Sequence, residues 1–412
     1  MSANFLTSER SSNLLKLVEP FMKQLTFPNI TTSLHKQVLR TLLYYDIFNY
    51  SLNCDEIFRF LGSGNVERST VQACLATLKD RNLIYQFGEF YSMKNNKALI
   101  ERRVKGNIEA EKFLHVARKK SMLISKFPFV RAVFASGSLS KGYMDEKSDI
   151  DFFIVTAPNR LWIARTLLVL YKRIFLFNSH KYFCVNYFVD EEDLEIEEKN
   201  LFTATELATV LPLYGAVQYE NLQLANPWLK KFYPNFVLRN TADVPLGIVS
   251  SPKKLVESLI NMFGGNAFER FCHKRTLARW QKLYMKDYSA TDFKIAFKSK
   301  AYASKNHPSN FQKTITDLYE DKLKSYGIHD KTSDNNVYLM DQSLVLQSSR
   351  RASVTYSHIR IFTNSTRSNG DLSSRTRRWQ LYLPPPLSER RVILFRSSTQ
   401  ICERIHPKLC RC

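Results

Sequence analysis

Paired cysteines are missing from this chain. Its seven Cys residues are scattered, and no two stand as C-x-x-C. Cys54, Cys74 and Cys184 fall in apolar patterns, where a free thiol is a small core residue. Cys410 and Cys412, at the end of the chain, read as an accidental pair. A disulfide framework is thereby excluded, and a reducing, cytoplasmic compartment is expected. The eight His residues show no metal-ligand spacing, and His273 and His307 read as surface or structural. No apolar core of signal-peptide type follows Met1 in "MSANFLTSERSSNLLKLVEP". The most apolar run, "LWIARTLLVLYKRIFLF" from Leu161 to Phe177, is broken by Arg165, Lys172 and Arg173. It is too short to span a bilayer comfortably, so it reads as a buried or amphipathic helix and no membrane span is expected. Internal repeats are lacking too. Acidic residues are outnumbered, 38 against 60 Lys and Arg, for a formal charge of +22. That excess suits polyanionic partners such as nucleic acid, nucleotides or a membrane surface.

What is present suffices for two or three domains, since 412 residues can bury a sizeable core. Residues 1–33 read as a helical lead-in. From 34 to 96 the pattern is compact. Leu34, Val38, Leu42 and Tyr45 recur at helical spacing. "SLNCDEIFRFLG" opens with cap residues and stops on Gly62. Val71, Leu75 and Leu78 share one face of a third helix, and "LIYQFGEFYSM" is a strand, a turn at Gly88 and a strand. Three helices followed by a hairpin resemble a winged helix-turn-helix. Its recognition helix would expose Arg68, Ser69, Gln72 and Lys79, and its wing would be Gln86 to Glu89. Nucleic acid could be held through residues 34–93, but the same module also docks proteins.

Residues 97–126 read as a long basic connecting helix. Next comes a β-run through Val130, Ala132 and Phe134 that ends on Gly137-Ser138. "DIDFFIVTA" is a second strand, "RLWIARTLLVLYKRIF" a helix and "KYFCVNYFVD" a third strand. The core is placed at 127–200. Residues 201–330 read as largely helical, with a break at Pro212. The overall class is α+β, a short mixed sheet with helices. After residue 330 the texture changes: twelve Arg and two Lys stand against five acids, in a Ser/Thr-rich stretch without periodicity. Residues 331–412 read as a disordered or frame-shifted tail, with an RNA-binding arm as the alternative.

The chemistry lies in "GSLSKGYMDEKSDIDFFIV", Gly137 to Val155. On a strand, residues i and i+2 share a face, so Asp149 and Asp151 lie side by side while Ile150 and Phe152 turn inward. Two adjacent carboxylates repel unless something compensates. A hard divalent cation, Mg²⁺ or Mn²⁺, compensates them and takes phosphate oxygens as further ligands. Gly137 lets the backbone turn closely round a ligand. The Ser138 hydroxyl and nearby N–H groups suit a phosphate, with Lys141 a further phosphate contact. The expected chemistry is attack of an acceptor hydroxyl on the α-phosphate of an NTP, helped by two metals.

These residues resemble the nucleotidyltransferase superfamily of polymerase-β-like enzymes. Gly137-Ser138, Gly142 and Ser148-Asp149-Ile150-Asp151 match the pattern of its small bacterial branch, the minimal and antibiotic nucleotidyltransferases. The resemblance covers about residues 125–190. It implies a third carboxylate on a later strand, a ligand of the second metal and often the base. On "KYFCVNYFVD" the polar positions are Asn186 and Asp190. Asp190 completes the triad if it reaches the site. Asn186 beside the Asp pair would hold a ribose or a metal through its carbonyl but could not act as a base. The first expectation is therefore an Mg²⁺-dependent nucleotidyltransferase with an unidentified hydroxyl acceptor. The alternative is a weak or inactive regulator that keeps the fold and binds DNA or a protein through residues 34–93.

Overall fold

A computed structural model describes residues 33–328, apart from residue 180 and residues 307–310. The lead-in up to residue 32, His307 and the tail from 331 lie outside the described residues.

The first helix, α1 (Ser33–Asp46), buries Val38, Leu39, Leu42 and Leu43. A two-residue strand, β1 (Leu52–Asn53), leads into α2 (Cys54–Arg59). Asn53 caps α2 through Oδ1, which accepts from Glu56 N at 2.9 Å, and Glu56 Oε2 accepts from Asn53 N at 3.0 Å. This reciprocal box fixes where the helix starts. The third helix, α3 (Arg68–Asp80), buries Val71, Cys74, Leu75 and Leu78. Its opposite side leaves Arg68, Ser69, Gln72 and Lys79 exposed. Strands β2 (Tyr85–Phe87) and β3 (Phe90–Ser92) form a hairpin on which β1 pairs, in the order β1-β3-β2. The connecting helix is continuous: α4 (Ala98–Ile124) runs 27 residues, about 40 Å.

The second sheet has five strands in the order β7-β4-β5-β6-β8. Its centre is β4 (Val130–Ser136), β5 (Asp151–Thr156) and β6 (Cys184–Asp190). β4 and β5 are antiparallel. β5 and β6 are parallel and are joined by a crossover through α6 (Leu161–Phe175), as a parallel pair requires. Alternation along the strands separates two cores. Phe134, Phe153, Val155 and Val189 belong to one, which also holds the buried residues of α1 and α3. Ile150, Phe152, Ile154 and Phe188 belong to the other, with Trp162, Leu168 and Trp280.

The region beyond residue 200 is largely helical but also supplies two short edge strands, which the sequence reading did not place. After α7 (Leu201–Thr209) the chain forms an edge strand, β7 (Leu211–Tyr214), against β4. Pro212 lies within it, tolerable because an edge strand need not donate on both sides. The other edge is β8 (Ala303–Lys305), paired with β6. Between the edges lie α8 (Ala216–Ala225), α9 (Leu229–Phe232), α10 (Ser251–Met262), α11 (Gly265–Tyr284) and α12 (Ala290–Ala296), and α13 (Phe311–Ser325) follows β8. Glu269 of α11 accepts from the N–H groups of Trp162 and Ile163 at 2.7 and 2.9 Å, closing the first turn of α6. His273 stacks on Trp162 with ring centroids 4.3 Å apart and bonds the Ser299 carbonyl, so it has a structural place. Among the described residues no helix is long and apolar enough to cross a membrane.

Candidate active site

β4 ends where the chain must turn, and Gly137 makes the turn with φ +64°. One helical turn follows, α5 (Gly137–Ser140). Register places Ser136 opposite Asp151, so the turn and the carboxylate meet. The approach is close: a Cβ at Gly137 would lie 2.5 Å from Asp151 Oδ2. Only a residue without a side chain lets the backbone and this carboxylate share the space.

Asp149 precedes β5 and is half-buried, as is Asp151. Ile150 between them is fully buried, and its backbone bonds Lys181 O and Cys184 N, which fixes the alternation. Ser148 closes its own loop, donating to Asp145 Oδ1 at 2.7 Å.

Of Asn186 and Asp190, the one that lies beside Asp151 is Asn186. The β5–β6 register slips there: Phe152 pairs with Val185 and Phe153 with Tyr187, leaving Asn186 as the extra residue. Such a bulge re-aims a side chain. Asn186 is buried, and its Nδ2 donates to Asp151 Oδ1 at 3.0 Å. Asp190 is not brought to the site. It is four residues further along the same strand, about 13 Å away, opposite Thr156. There its carboxylate accepts from Asn159 N at 2.6 Å and from Glu192 N at 3.0 Å, tying the loop into α6. Burial raises its pKa. Asp193 is exposed, and Glu191 is half-buried near Arg131.

Lys141 lies beside the turn, but its Nζ is engaged by Glu206 Oε1 at 2.7 Å and the Gly137 carbonyl at 3.1 Å. Glu206 Oε2 also accepts from Gly137 N at 3.4 Å. A carboxylate therefore faces the N–H of the turn.

A cavity of about 310 Å³ opens here, lined by Gly137, Ser138, Asp151, Asn186 and Glu206 among others. Tyr187, Phe202 and Phe311 give it aromatic walls. Tyr187 stacks on Phe153 with centroids 4.9 Å apart. Lys305 of β8 also lines it, buried, with Nζ 2.9 Å from Gln312 Oε1. Desolvation lowers the Lys305 pKa. Glu206 and Lys305 were not foreseen, because neither belongs to the Gly-Ser and Asp-x-Asp pattern and only long-range folding brings them in.

The loop after the turn is fastened from outside the sheet. Tyr50 donates to the Lys141 carbonyl at 2.9 Å, Asn107 of α4 donates to the Gly142 carbonyl, and Met144 N donates to the Gly106 carbonyl at 3.0 Å.

Asp149 and Asp151 are hard oxygen donors of the kind Mg²⁺ or Mn²⁺ takes, while Asn186 turns its Nδ2 to Asp151. Among the described residues no group of three or more His, Cys, Asp or Glu could hold a metal alone. Phosphate oxygens and water must complete any shell.

Residues 117–210 match the family model described as "Nucleotidyltransferase domain". The match runs from within α4 to the residue before β7 and includes the turn, the Asp pair, Asn186 and Glu206. No curated protein and no solved structure matches the chain significantly.

Proposed function

With residues 117–210 taken as a nucleotidyltransferase domain, we propose that the chain moves NMP from an NTP to a hydroxyl acceptor in the cavity beside Asp151. The observation that carries this reading is the contact between the Gly137 turn and the Asp151 carboxylate. It sets a phosphate-gripping backbone against a cation ligand. Ser138 and the N–H groups that follow Gly137 in the turn hold the terminal phosphates, the Gly137 N–H being turned to Glu206, and Asp149 and Asp151 hold Mg²⁺ or Mn²⁺ with Asn186 as a supporting ligand. A bound divalent cation would neutralise the triphosphate and favour departure of pyrophosphate. The acceptor oxygen bonds to the α-phosphorus, the bond from that phosphorus to the β-phosphate bridge breaks, and the hydroxyl proton leaves to water. The Asn186 amide has no site for that proton.

Asn186 at the third position also favours a second reading, slow or absent turnover in a domain kept for nucleotide binding. In it, residues 34–93 act as a winged-helix module that binds DNA or a partner protein. The order α1-β1-α2-α3-β2-β3 and the exposed Arg68, Ser69, Gln72 and Lys79 support that assignment.

The test is calorimetry of the four NTPs with and without Mg²⁺, using Asp149→Asn/Asp151→Asn as control. Binding that needs Mg²⁺ and is lost in the double variant is expected. A folded wild type that binds no NTP sinks both readings of the cavity, while binding without transfer to any hydroxyl favours the second.

A further inference from the structure

On the other face of the sheet, α6 and α11 border a second and larger cavity of about 980 Å³. It is at the upper end of the size range of small-ligand sites, about 300–1,000 Å³. Arg165, Lys172 and Arg173 line it from α6. Lys274, Arg275, Arg279 and Lys282 line it from α11. No Asp or Glu is among the described residues that line it. Lys172 apart, six cations line the groove with no Asp or Glu beside them in its described lining, and like charges repel one another unless an anion is brought in.

Two details show that this is more than a solvated basic face. Arg165 is buried, and its Nε has no hydrogen-bond partner. Its guanidinium sits 4.6 Å from the centre of the Trp280 ring. A buried unpaired donor is costly unless a ligand satisfies it. Burial and the neighbouring Arg173 also pull its pKa down to about 9, a further sign of missing counter-charge. The α11 cations run from Lys274 to Lys282, a rise of about 12 Å, too long for a single phosphate group to meet. Beside them Phe268 and Phe271 line the same groove and are exposed. Cations in a row with open aromatic faces are the combination that tracks a sugar–phosphate backbone and stacks its bases.

We propose that the groove between α6 and α11 binds single-stranded nucleic acid, Arg165 and the α11 cations meeting the phosphodiesters and Phe268 and Phe271 meeting bases. The strand is held on the face opposite the NTP cavity, and Asn186 borders both cavities. This binding does not depend on nucleotidyl transfer, and it leaves α3 out of the contact.

The test uses the full chain and a fluorescein-labelled oligouridine of twenty residues, followed by anisotropy across a KCl series. Arg275→Gln/Arg279→Gln is compared with wild type, and Arg68→Gln/Lys79→Gln serves as the α3 control. Both Arg residues on α11 are exposed, so folding should survive their exchange. Each lost phosphate contact on a single strand lowers the salt slope by about 0.7. The α11 variant is expected to lose at least tenfold in affinity and about 1.4 in slope, the α3 control neither. Any contribution from the Arg-rich tail is common to all three proteins and cancels. Equal binding by wild type and the α11 variant overturns the proposal. Displacement of the oligonucleotide by poly-L-glutamate at equal charge also overturns it, assigning the groove to an acidic protein segment. Mg²⁺–NTP binding, measured on the same variants, is expected to stay unchanged, so failure of the groove and failure of the NTP cavity are read separately.

Discussion

Replacing Gly137 by Ala tests the geometry on which the proposed NTP site rests. The backbone there has φ +64°, and holding an L-residue in that region costs about 1–2 kcal/mol. A second effect is local. The new Cβ would lie 2.5 Å from Asp151 Oδ2, and relief to an ordinary contact of 3.4 Å moves the carboxylate by about 0.9 Å. That movement also strains the bond from Asn186 Nδ2, 3.0 Å in length. A misplacement of that size at a reacting centre costs on the order of 10²-fold in rate. Gly142→Ala separates the two effects. Gly142 has φ +70°, but the nearest atom to its Cβ would be Asn107 Nδ2 at 3.7 Å. Both variants are expected to lose about 1–2 kcal/mol in urea unfolding. Only Gly137→Ala should lose Mg²⁺–NTP binding in calorimetry, and with it roughly 10²-fold in single-turnover transfer. If the two variants bind NTP equally well, the contact between turn and carboxylate is incidental and the reasoning fails.

Two more outcomes follow from the same structure. Asn186→Asp puts a carboxylate against Asp151 and removes an N–H donor, a loss of about 1–3 kcal/mol where the group is buried. Its melting temperature should fall without divalent cation and recover in millimolar Mg²⁺, and transfer should exceed wild type; a fall that Mg²⁺ does not repair argues against a cation at this corner. Glu269 titrates in an accessible range, because burial lifts its pKa from 4.5 to about 6. The folded state thus binds a proton the unfolded chain releases between those values, so stability falls as pH rises through that window. Urea midpoints from pH 4 to 7 should fall less steeply in Glu269→Gln than in wild type, the remainder coming from Asp190 and Glu191, whose pKa values burial also raises; identical profiles would remove Glu269 as a source.

The parts of the site legible in the sequence are those encoded by short spacing. Gly137, Ser138 and Asp151 sit around one β-turn-β passage, where chain geometry alone brings i and i+2 together and lets a glycine mark the turn. The third position required a register, and register is a long-range property. Asn186 and Asp190 share one strand, so spacing could not choose between them. The bulge between Val185 and Tyr187 decides for Asn186, and no local pattern announces a single extra residue. β7 and β8 were missed for a related reason. Strands of four and three residues carry no usable period, and β7 contains a proline. Glu206 and Lys305 reach the cavity through helix and edge-strand packing, for which a single sequence holds no signal.

The bonds that fasten residues 141–144 bear on how freely this protein's parts can be exchanged. Tyr50 comes from the segment between α1 and β1, and Gly106 and Asn107 come from the connecting helix. A chain begun at residue 97 would leave the Lys141 carbonyl without its donor. One begun at residue 127 would strip all three anchors from the loop between Gly137 and Asp151. The loop between Gly137 and Asp151 is in that sense built by residues that the Gly-Ser and Asp-x-Asp pattern does not contain. Grafting a different N-terminal module onto this core would also replace part of the loop's support. The boundaries near residues 96 and 126 are seams in the sequence but not in the mechanics of the site.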